Sequence, residues 1–237
     1  KYHMTTQVYR HRIRLITDAM TVRALELGID VDDLQWLKDL YLFEDSEDYI
    51  RNYLCWDDER VSTALLYPLD APGYATDLFR RLCDRRLFKR IYEEPIKAET
   101  FPSPKDRRKF ADLGRDEETR KMIEQKIATE LNSRYGERID PKDVIVVTFT
   151  IKSVRRQSSE DEGSIIVFSE GRKRKFDDES TLFRSIDNEE QDQFVEVYAP
   201  FQFADERDKR KKRKELSEMV RDILTDVLSK KKKDEKP

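Results

Sequence analysis

Hydrophobic residues recur at helical spacing through the first 97 residues of the chain. They predict a first helix that ends at Gly28, because glycine favours a helix terminus. Four further helices are predicted over residues 32–43, 46–55, 57–66 and 74–85. Ser46 is placed to cap the helix that it opens. The aromatic and β-branched residues from Leu87 to Tyr92 predict a strand. Residues 1–97 are therefore predicted to form a helical lobe.

A proline-rich stretch at residues 101–104 separates this lobe from a region of mixed pattern. Helical spacing continues from Glu117 to Tyr135 and ends at Gly136. Strands are predicted over residues 144–151, 164–169, 172–176 and 193–198, the middle two as a hairpin, with a loop at 155–163 and a short helix at 180–186. Residues 98–200 are therefore predicted to form an α+β lobe, a small antiparallel sheet with helices on one face.

The last predicted element is a long helix over residues 204–229. Its apolar stripe must be buried against this chain or against a second copy. Basic residues at 209–214 precede the stripe, and those at 230–233 follow it in what is predicted to be a disordered tail. Residues 201–237 are therefore predicted to form an amphipathic C-terminal helix with a basic tail. The fold class of the whole chain is α+β.

Composition narrows the class of protein. Of the 237 residues, 41% are charged and 37% hydrophobic, and the net charge of −3 excludes a uniformly basic nucleic-acid binder. No apolar run is long enough to span a membrane and no signal peptide opens the sequence, so we expect a cytoplasmic protein without a membrane partner. Cys55 and Cys83 are too few for a disulfide framework or a zinc site, and we expect them to be packing residues.

Catalytic motifs are sparse. The two histidines, His3 and His11, form neither an HExxH motif nor a His-Asp pair. The six glycines build neither a GxGxxG nor a GxxxxGK[ST] loop, and there is no GxSxG motif. A Cys-His nucleophilic pair stays open on spacing, with these two histidines as its base candidates. We therefore assign no catalytic residue and no metal ligand to this chain.

Two short motifs carry a family resemblance. Tyr9, His11 and Arg12 form a Tyr-x-His-basic motif that is followed by the string Ile-Thr-Asp-Ala-Met at residues 16–20. The segment from Arg85 to Lys89 reads Arg-Arg-Leu-Phe-Lys. Both resemble the region after the catalytic core in HD-domain phosphohydrolases, above all the deoxynucleoside triphosphate triphosphohydrolases of the sterile-alpha-motif-and-HD-domain type. The predicted sheet resembles their C-terminal lobe more loosely, so the resemblance touches most of residues 1–200.

The resemblance implies that this chain is the C-terminal part of a larger HD-family enzyme that acts on (deoxy)nucleoside triphosphates. Within that enzyme, this chain would be the portion that forms nucleotide pockets and subunit contacts and so serves regulation and oligomerisation. By the same resemblance, Tyr9 would contact the substrate, and His11, Arg12, Arg85 and Lys89 would line an activator-nucleotide site where the subunits of a homo-oligomer meet. The family's divalent metal (Mg, Mn or Fe) is held by ligands that have no match here, so the chain alone is not expected to hydrolyse nucleotides.

Each of these residues also has an interpretation without a ligand. His11 lies between two arginines, as a solvated surface histidine does, and Tyr9 suits a core position. Arg85 and Lys89 suit the negative end of a helix. The basic run at 209–214 has acidic neighbours and no interleaved aromatic residues, which is typical of a solvated helix face. The alternative function is a non-catalytic interaction or scaffold module whose basic segments bind nucleic acid.

Overall fold

The computed structural model describes residues 11–69, 71–101, 103–151, 166–169, 171–175 and 192–234. In this part of the chain, α-helices surround a small antiparallel sheet, which confirms the α+β class. The helices are α1 (Arg12–Asp30), α2 (Gln35–Tyr41), α3 (Glu47–Leu54), α4 (Asp58–Leu66), α5 (Tyr74–Cys83), α6 (Pro104–Asp112), α7 (Glu117–Tyr135) and α8 (Glu206–Asp234). The strands are β1 (Lys89–Pro95), β2 (Ile145–Ile151), β3 (Ile166–Ser169), β4 (Arg172–Lys175) and β5 (Asp192–Ala199).

The main sheet has three antiparallel strands in the order β1-β5-β2. Alternate residues of β5 point to opposite faces: Val195 and Val197 pack with α6, α7 and α8, whereas Tyr198 packs with α1 and α5. The prediction of helices on one face is therefore wrong, because helices cover both. A sheet buried on both faces accounts for the nearly continuous apolar run that precedes and enters β2.

Gly28 lies inside α1, which continues to Asp30, so the predicted helix end at Gly28 is wrong. A Cβ atom at this position would approach the Cδ2 atom of Leu37 to 2.8 Å and the Cβ atom of Ala75 to 3.3 Å. Glycine is therefore needed here for the close approach of neighbouring helices rather than for termination. At the end of α7, by contrast, Gly136 has a φ of 68° and ends the helix as predicted.

The apolar stripe of α8 is buried against this chain. Leu216, Val220 and Leu224 lie in the same core cluster as residues of α6, α7 and the sheet. The helix continues to Asp234, so the prediction of a disordered tail from residue 230 is wrong for residues 230–234. This packing fixes the position of the basic residues at the beginning of α8 relative to the sheet.

The remaining predicted elements are largely confirmed. Ser46 caps α3 by accepting a hydrogen bond from the backbone N–H of Tyr49 at 3.1 Å. β3 and β4 form the predicted hairpin, but in the described part of the chain they pair only with each other. Cys55 and Cys83 are both exposed, so their prediction as packing residues is wrong. Cys55 directly follows α3, and Cys83 is the last residue of α5. At a helix end, apolar spacing along the helix no longer indicates which residues are buried.

Several predictions lie outside the described residues: the first ten residues of the first helix, the loop at 155–163 and the short helix at 180–186. The division of the chain into domains stays a prediction, although β1, which precedes residue 97, pairs with β5. Among the described helices, none combines the length and the apolar character that crossing a membrane requires.

Candidate functional site

A cavity of about 600 Å³ lies where the beginning of α1, the turn after α5, β1 and the first turns of α8 meet. Its volume is within the range of pockets that hold small-molecule ligands. The basic side chains on its wall are Arg12, Arg85, Lys89, Arg90, Lys209 and Arg213. Two acidic residues of the described chain, Asp205 and Glu206, share the wall. We call it the cationic cavity, since basic residues predominate there although the chain as a whole is acidic.

The floor of the cationic cavity is apolar. Ile16, Phe88, Ile91 and Leu216 are buried core residues that also line it. Charges near such a low-dielectric surface interact more strongly with a bound ion than charges on an open, solvated surface do. An apolar floor below a basic wall therefore suits a ligand that has both an anionic and a hydrophobic part.

Three of the four residues predicted for the activator site lie together on this wall. Arg12 is the first residue of α1, Arg85 lies in the turn after α5, and Lys89 is the first residue of β1. Within the described residues, none of these three side chains makes a hydrogen bond or an ion pair within 4.0 Å. All three cations are therefore available to an anionic ligand.

The other two predicted residues are placed differently. His11 is exposed and occupies the N-cap position of α1, where its side chain makes no capping hydrogen bond. It adjoins Arg12 but is not one of the residues that line the cavity. Tyr9 lies outside the described residues.

Arg85 has an unusual backbone conformation, with a φ of 55°. It follows α5, where the N–H of Arg86 donates to the carbonyl of Arg81 at 2.8 Å and the N–H of Arg85 donates to that of Leu82 at 3.1 Å. This is a Schellman motif, whose left-handed position glycine usually fills. An L-residue with a side chain costs about 1–2 kcal/mol there. The strain places a guanidinium on the wall of the cationic cavity, and such strain is typical of functional positions.

The N-terminus of α5 is held from a distant part of the chain. The carboxylate of Asp32 accepts hydrogen bonds from the backbone N–H groups of Tyr74 at 3.0 Å and Ala75 at 2.8 Å. Gly73, which precedes the helix, supplies no side-chain cap, and a Cβ atom there would collide with the Asp32 carboxylate. Asp32 thus caps α5 and helps to fix the helix whose other end carries Arg85.

Arg90 is already engaged by acidic partners. Its guanidinium lies 2.7 Å from the buried Glu196 carboxylate and 2.6 Å from that of Glu93. The Tyr198 hydroxyl also donates to Glu196, and burial, together with this negative charge, raises the pKa of Tyr198 well above its usual value. Arg90 therefore stabilises the buried carboxylate of the central strand, and its charge is largely compensated.

On α8, an acidic residue forms an ion pair with one of the cavity's basic residues. The Nζ atom of Lys209 lies 2.8 Å from the Oε1 atom of Glu206. This hydrogen bond and the Lys209 charge lower the pKa of Glu206, with smaller contributions from Arg210 and from Arg12. Glu206 is thus an internal counter-ion of the cationic cavity.

Lys209 and Arg213 were not predicted as site residues, because the whole basic run was interpreted as a solvated face. A signal was present in their spacing. Positions 209 and 213 continue the i, i+3, i+4 series of the buried residues Leu216, Val220 and Leu224. They therefore lie on the face of α8 that meets the rest of the protein.

A metal centre is not assembled in the described part of the chain. No group of three or more His, Cys, Asp and Glu side chains there is arranged to hold an ion. The divalent metal that the resemblance implies therefore has no ligand set among these residues.

A comparison with protein families identifies the family of this chain. Residues 1–217 match the HD associated region, a span that includes every residue on the wall of the cationic cavity. The chain belongs to the HD associated region family, which makes it an accessory region of HD-domain proteins. Comparison with curated proteins gives no match.

Proposed function

We propose that this chain is the regulatory portion of a cytoplasmic HD-domain phosphohydrolase that acts on (deoxy)nucleoside triphosphates, and that its cationic cavity binds the phosphate chain of an activator nucleotide. One observation carries the proposal: Arg12, Arg85 and Lys89 line one cavity, and their side chains have no hydrogen-bond or ion-pair partner among the described residues. Arg12 of the first motif thus shares a cavity with Arg85 and Lys89 of the second, although more than 70 residues separate them in the sequence.

The residue types suit a phosphate chain. Arg12 and Arg85 present forked donors that bind phosphate oxygens in pairs, and Lys89 adds a compact charge. Charge-assisted hydrogen bonds of this kind are roughly twice as strong as neutral ones. Phe88 and Ile16 on the floor would contact the less polar part of a nucleotide.

The remaining predicted residues extend the same proposal. His11 adjoins Arg12 and would reach the ligand once α1 is approached by a further subunit or by the HD domain. Tyr9 would contact the substrate nucleotide. The metal-dependent hydrolysis that the resemblance implies would belong to the HD domain rather than to this accessory region.

The experiment is thermal unfolding with and without deoxynucleoside triphosphates. A ligand at a hundred times its Kd stabilises the folded state by about 2.7 kcal/mol, which raises the Tm of a chain of this size by roughly 5–10 °C. Arg85→Ala and Lys89→Ala should each remove at least about half of this rise, because a tenfold weaker Kd lowers the stabilisation to about 1.4 kcal/mol. Arg86→Ala is the matched control, because Arg86 is exposed and adjacent but does not line the cavity.

Two outcomes would contradict the proposal: no change in Tm with any nucleotide, or an equal rise in the Arg85→Ala and Arg86→Ala chains. Binding of DNA or RNA with a steep salt dependence, unaffected by these substitutions, would favour the alternative of a non-catalytic module that binds nucleic acid.

Self-association is the second part of the proposal, and the exposed face of α3 supports it. None of the residues of α3 is buried, and Leu54 at its end is 76% exposed. We propose that a second copy of the chain covers this face as an antiparallel pair of α3 helices. Arg51 pairs with Glu47 of its own helix at 3.6 Å, and this exposed pair contributes little to stability. In the antiparallel arrangement, Arg51 would exchange it for Glu47 or Asp48 of the other copy, which gives charge complementarity.

Sedimentation analysis of the whole chain tests this arrangement. Leu54→Glu should shift the chain towards monomer, because it places a charge in the apolar contact. Met122→Glu is the matched control, since Met122 is an exposed apolar residue of α7. A wild-type chain that is monomeric at high concentration, or equal association of both variants, would contradict the arrangement.

A further inference from the structure

We propose that α8 supplies a second set of phosphate ligands to the cationic cavity, namely Lys209 and Arg213, and that Glu206 occupies Lys209 until an anionic ligand displaces it. The inference rests on the proposed function and adds the residues that select a chain of several phosphates over a single one.

The orientation of α8 is the first argument. Its buried stripe fixes the rotation of the helix against the sheet and α7. Arg213 lies one helical turn before Leu216, the first buried residue of the stripe, and Lys209 lies one turn before Arg213. Both line the cationic cavity. Arg210 and Lys211 belong to the same basic run, are exposed, and do not line it.

The weak engagement of the two side chains is the second argument. Lys209 is paired with Glu206, its neighbour one helical turn earlier, at 2.8 Å. Arg213 lies 4.0 Å from Glu93, at the limit of an ion pair, and its side chain is 65% exposed. Surface pairs of this kind contribute little to stability. A phosphate can therefore replace the carboxylate partner of Lys209 at little energetic cost to the fold.

The distribution of cations sets the ligand class. Arg12, Arg85 and Lys89 come from α1, the turn after α5, and β1, whereas Lys209 and Arg213 come from α8. Five cations on four elements match an extended polyanion, because one phosphate cannot engage them all. The described part of α8 offers no aromatic side chain to the cavity for base stacking. Its contribution is therefore to the phosphate chain and not to the base.

Titration calorimetry with three probes tests the proposal: a deoxynucleoside triphosphate, the corresponding monophosphate and inorganic tripolyphosphate. Lys209→Gln and Arg213→Gln remove the charge but keep the first two methylene groups and a polar end. Each should weaken triphosphate and tripolyphosphate binding about tenfold, the value of one charge-assisted hydrogen bond. Lys211→Gln removes the same charge from the same helix outside the cavity and should leave both affinities unchanged. The monophosphate should bind weakly to all chains.

Glu206→Gln gives an effect of opposite sign. With the counter-ion removed, Lys209 is free before ligand binding, so tripolyphosphate affinity should rise about threefold, in line with the small value of an exposed ion pair. In a chain that carries both Glu206→Gln and Lys209→Gln, this gain should disappear. Circular dichroism verifies that each variant keeps its helical content.

The possible failures are distinguishable. If the wild-type chain binds neither the triphosphate nor tripolyphosphate, the proposed function and this inference both fail. If wild-type binding occurs and Arg85→Ala weakens it, but Lys209→Gln and Arg213→Gln do not, this inference alone is overturned. Equal losses in the Lys209→Gln and Lys211→Gln chains would indicate diffuse attraction by the basic run, as in nucleic-acid binding, and would also overturn it.

Discussion

Arg85 is expected to affect stability and ligand binding in opposite directions, and a single substitution at this position tests both effects. Its φ of 55° is a conformation that glycine adopts without strain, and the chain does use glycine at the equivalent left-handed position after α7. The Arg85→Gly chain should therefore be more stable than the wild type. It should also lose a cation of the cationic cavity and bind triphosphates more weakly.

The magnitude follows from two opposing contributions. Relief of the left-handed strain is worth about 1–2 kcal/mol. The larger conformational entropy of glycine in the unfolded chain opposes it by about 0.5–1 kcal/mol. The net gain is about 0–1.5 kcal/mol, with a midpoint of about 0.75 kcal/mol that corresponds to a rise in Tm of roughly 2–3 °C for a chain of this length.

Thermal or urea unfolding, with and without triphosphate, measures both effects. The matched control is Arg86→Gly. Arg86 has an ordinary φ, so glycine there should lower stability by about 0.5–1 kcal/mol and leave ligand binding unchanged. An Arg85→Gly chain that is less stable than the wild type would refute the argument that strain is stored at this turn.

Three further predictions concern the scaffold of the site. Asp32→Ala should destabilise the chain by about 0.5–2 kcal/mol in urea unfolding, because the first N–H groups of α5 lose their cap; full retention of stability would contradict that role. Gly28→Ala should lower the Tm although alanine favours helices, since the added Cβ meets Leu37; a higher Tm would show that the neighbouring helices can separate without loss. Burial and hydrogen bonds to carboxylates raise the pKa values of Tyr92 and Tyr198 well above their usual value near 10. The folded state therefore binds these phenolic protons more tightly than the unfolded state does. The resulting contribution to the free energy of unfolding is complete below pH 10. Above pH 10 it falls by up to about 1.4 kcal/mol per pH unit for each tyrosine. Urea midpoints from pH 9 to 11 should fall less steeply in the Tyr92→Phe/Tyr198→Phe chain than in the wild type, and equal slopes would contradict the assignment.

The periodic elements of the fold could be predicted because a single stretch of sequence determines them. Helix α7 carries both its apolar spacing and its terminating glycine within 20 residues, and Ser46 caps its own helix. The cap on α5 could not be predicted, because Asp32 lies more than 40 residues before Tyr74 and Ala75, whose backbone N–H groups donate hydrogen bonds to it. Long-range contacts of this kind depend on the packing of α1 against α5, which local periodicity does not encode.

The candidate site was predictable in part for a related reason. Arg12, Arg85 and Lys89 were predicted from two short motifs, and the fold brings them to one cavity. Lys209 and Arg213 were missed, because charge density alone does not say which face of α8 meets the sheet. Only the continuation of the buried stripe into the basic run identifies the inward face.

The most direct test of the central claim is calorimetric titration of the chain with a deoxynucleoside triphosphate. We predict measurable binding to the wild-type chain, binding at least tenfold weaker after Arg85→Ala, and unchanged binding after Arg86→Ala. Absence of binding to the wild-type chain, or equal affinity in all three chains, would contradict the assignment of the cationic cavity as a nucleotide phosphate site.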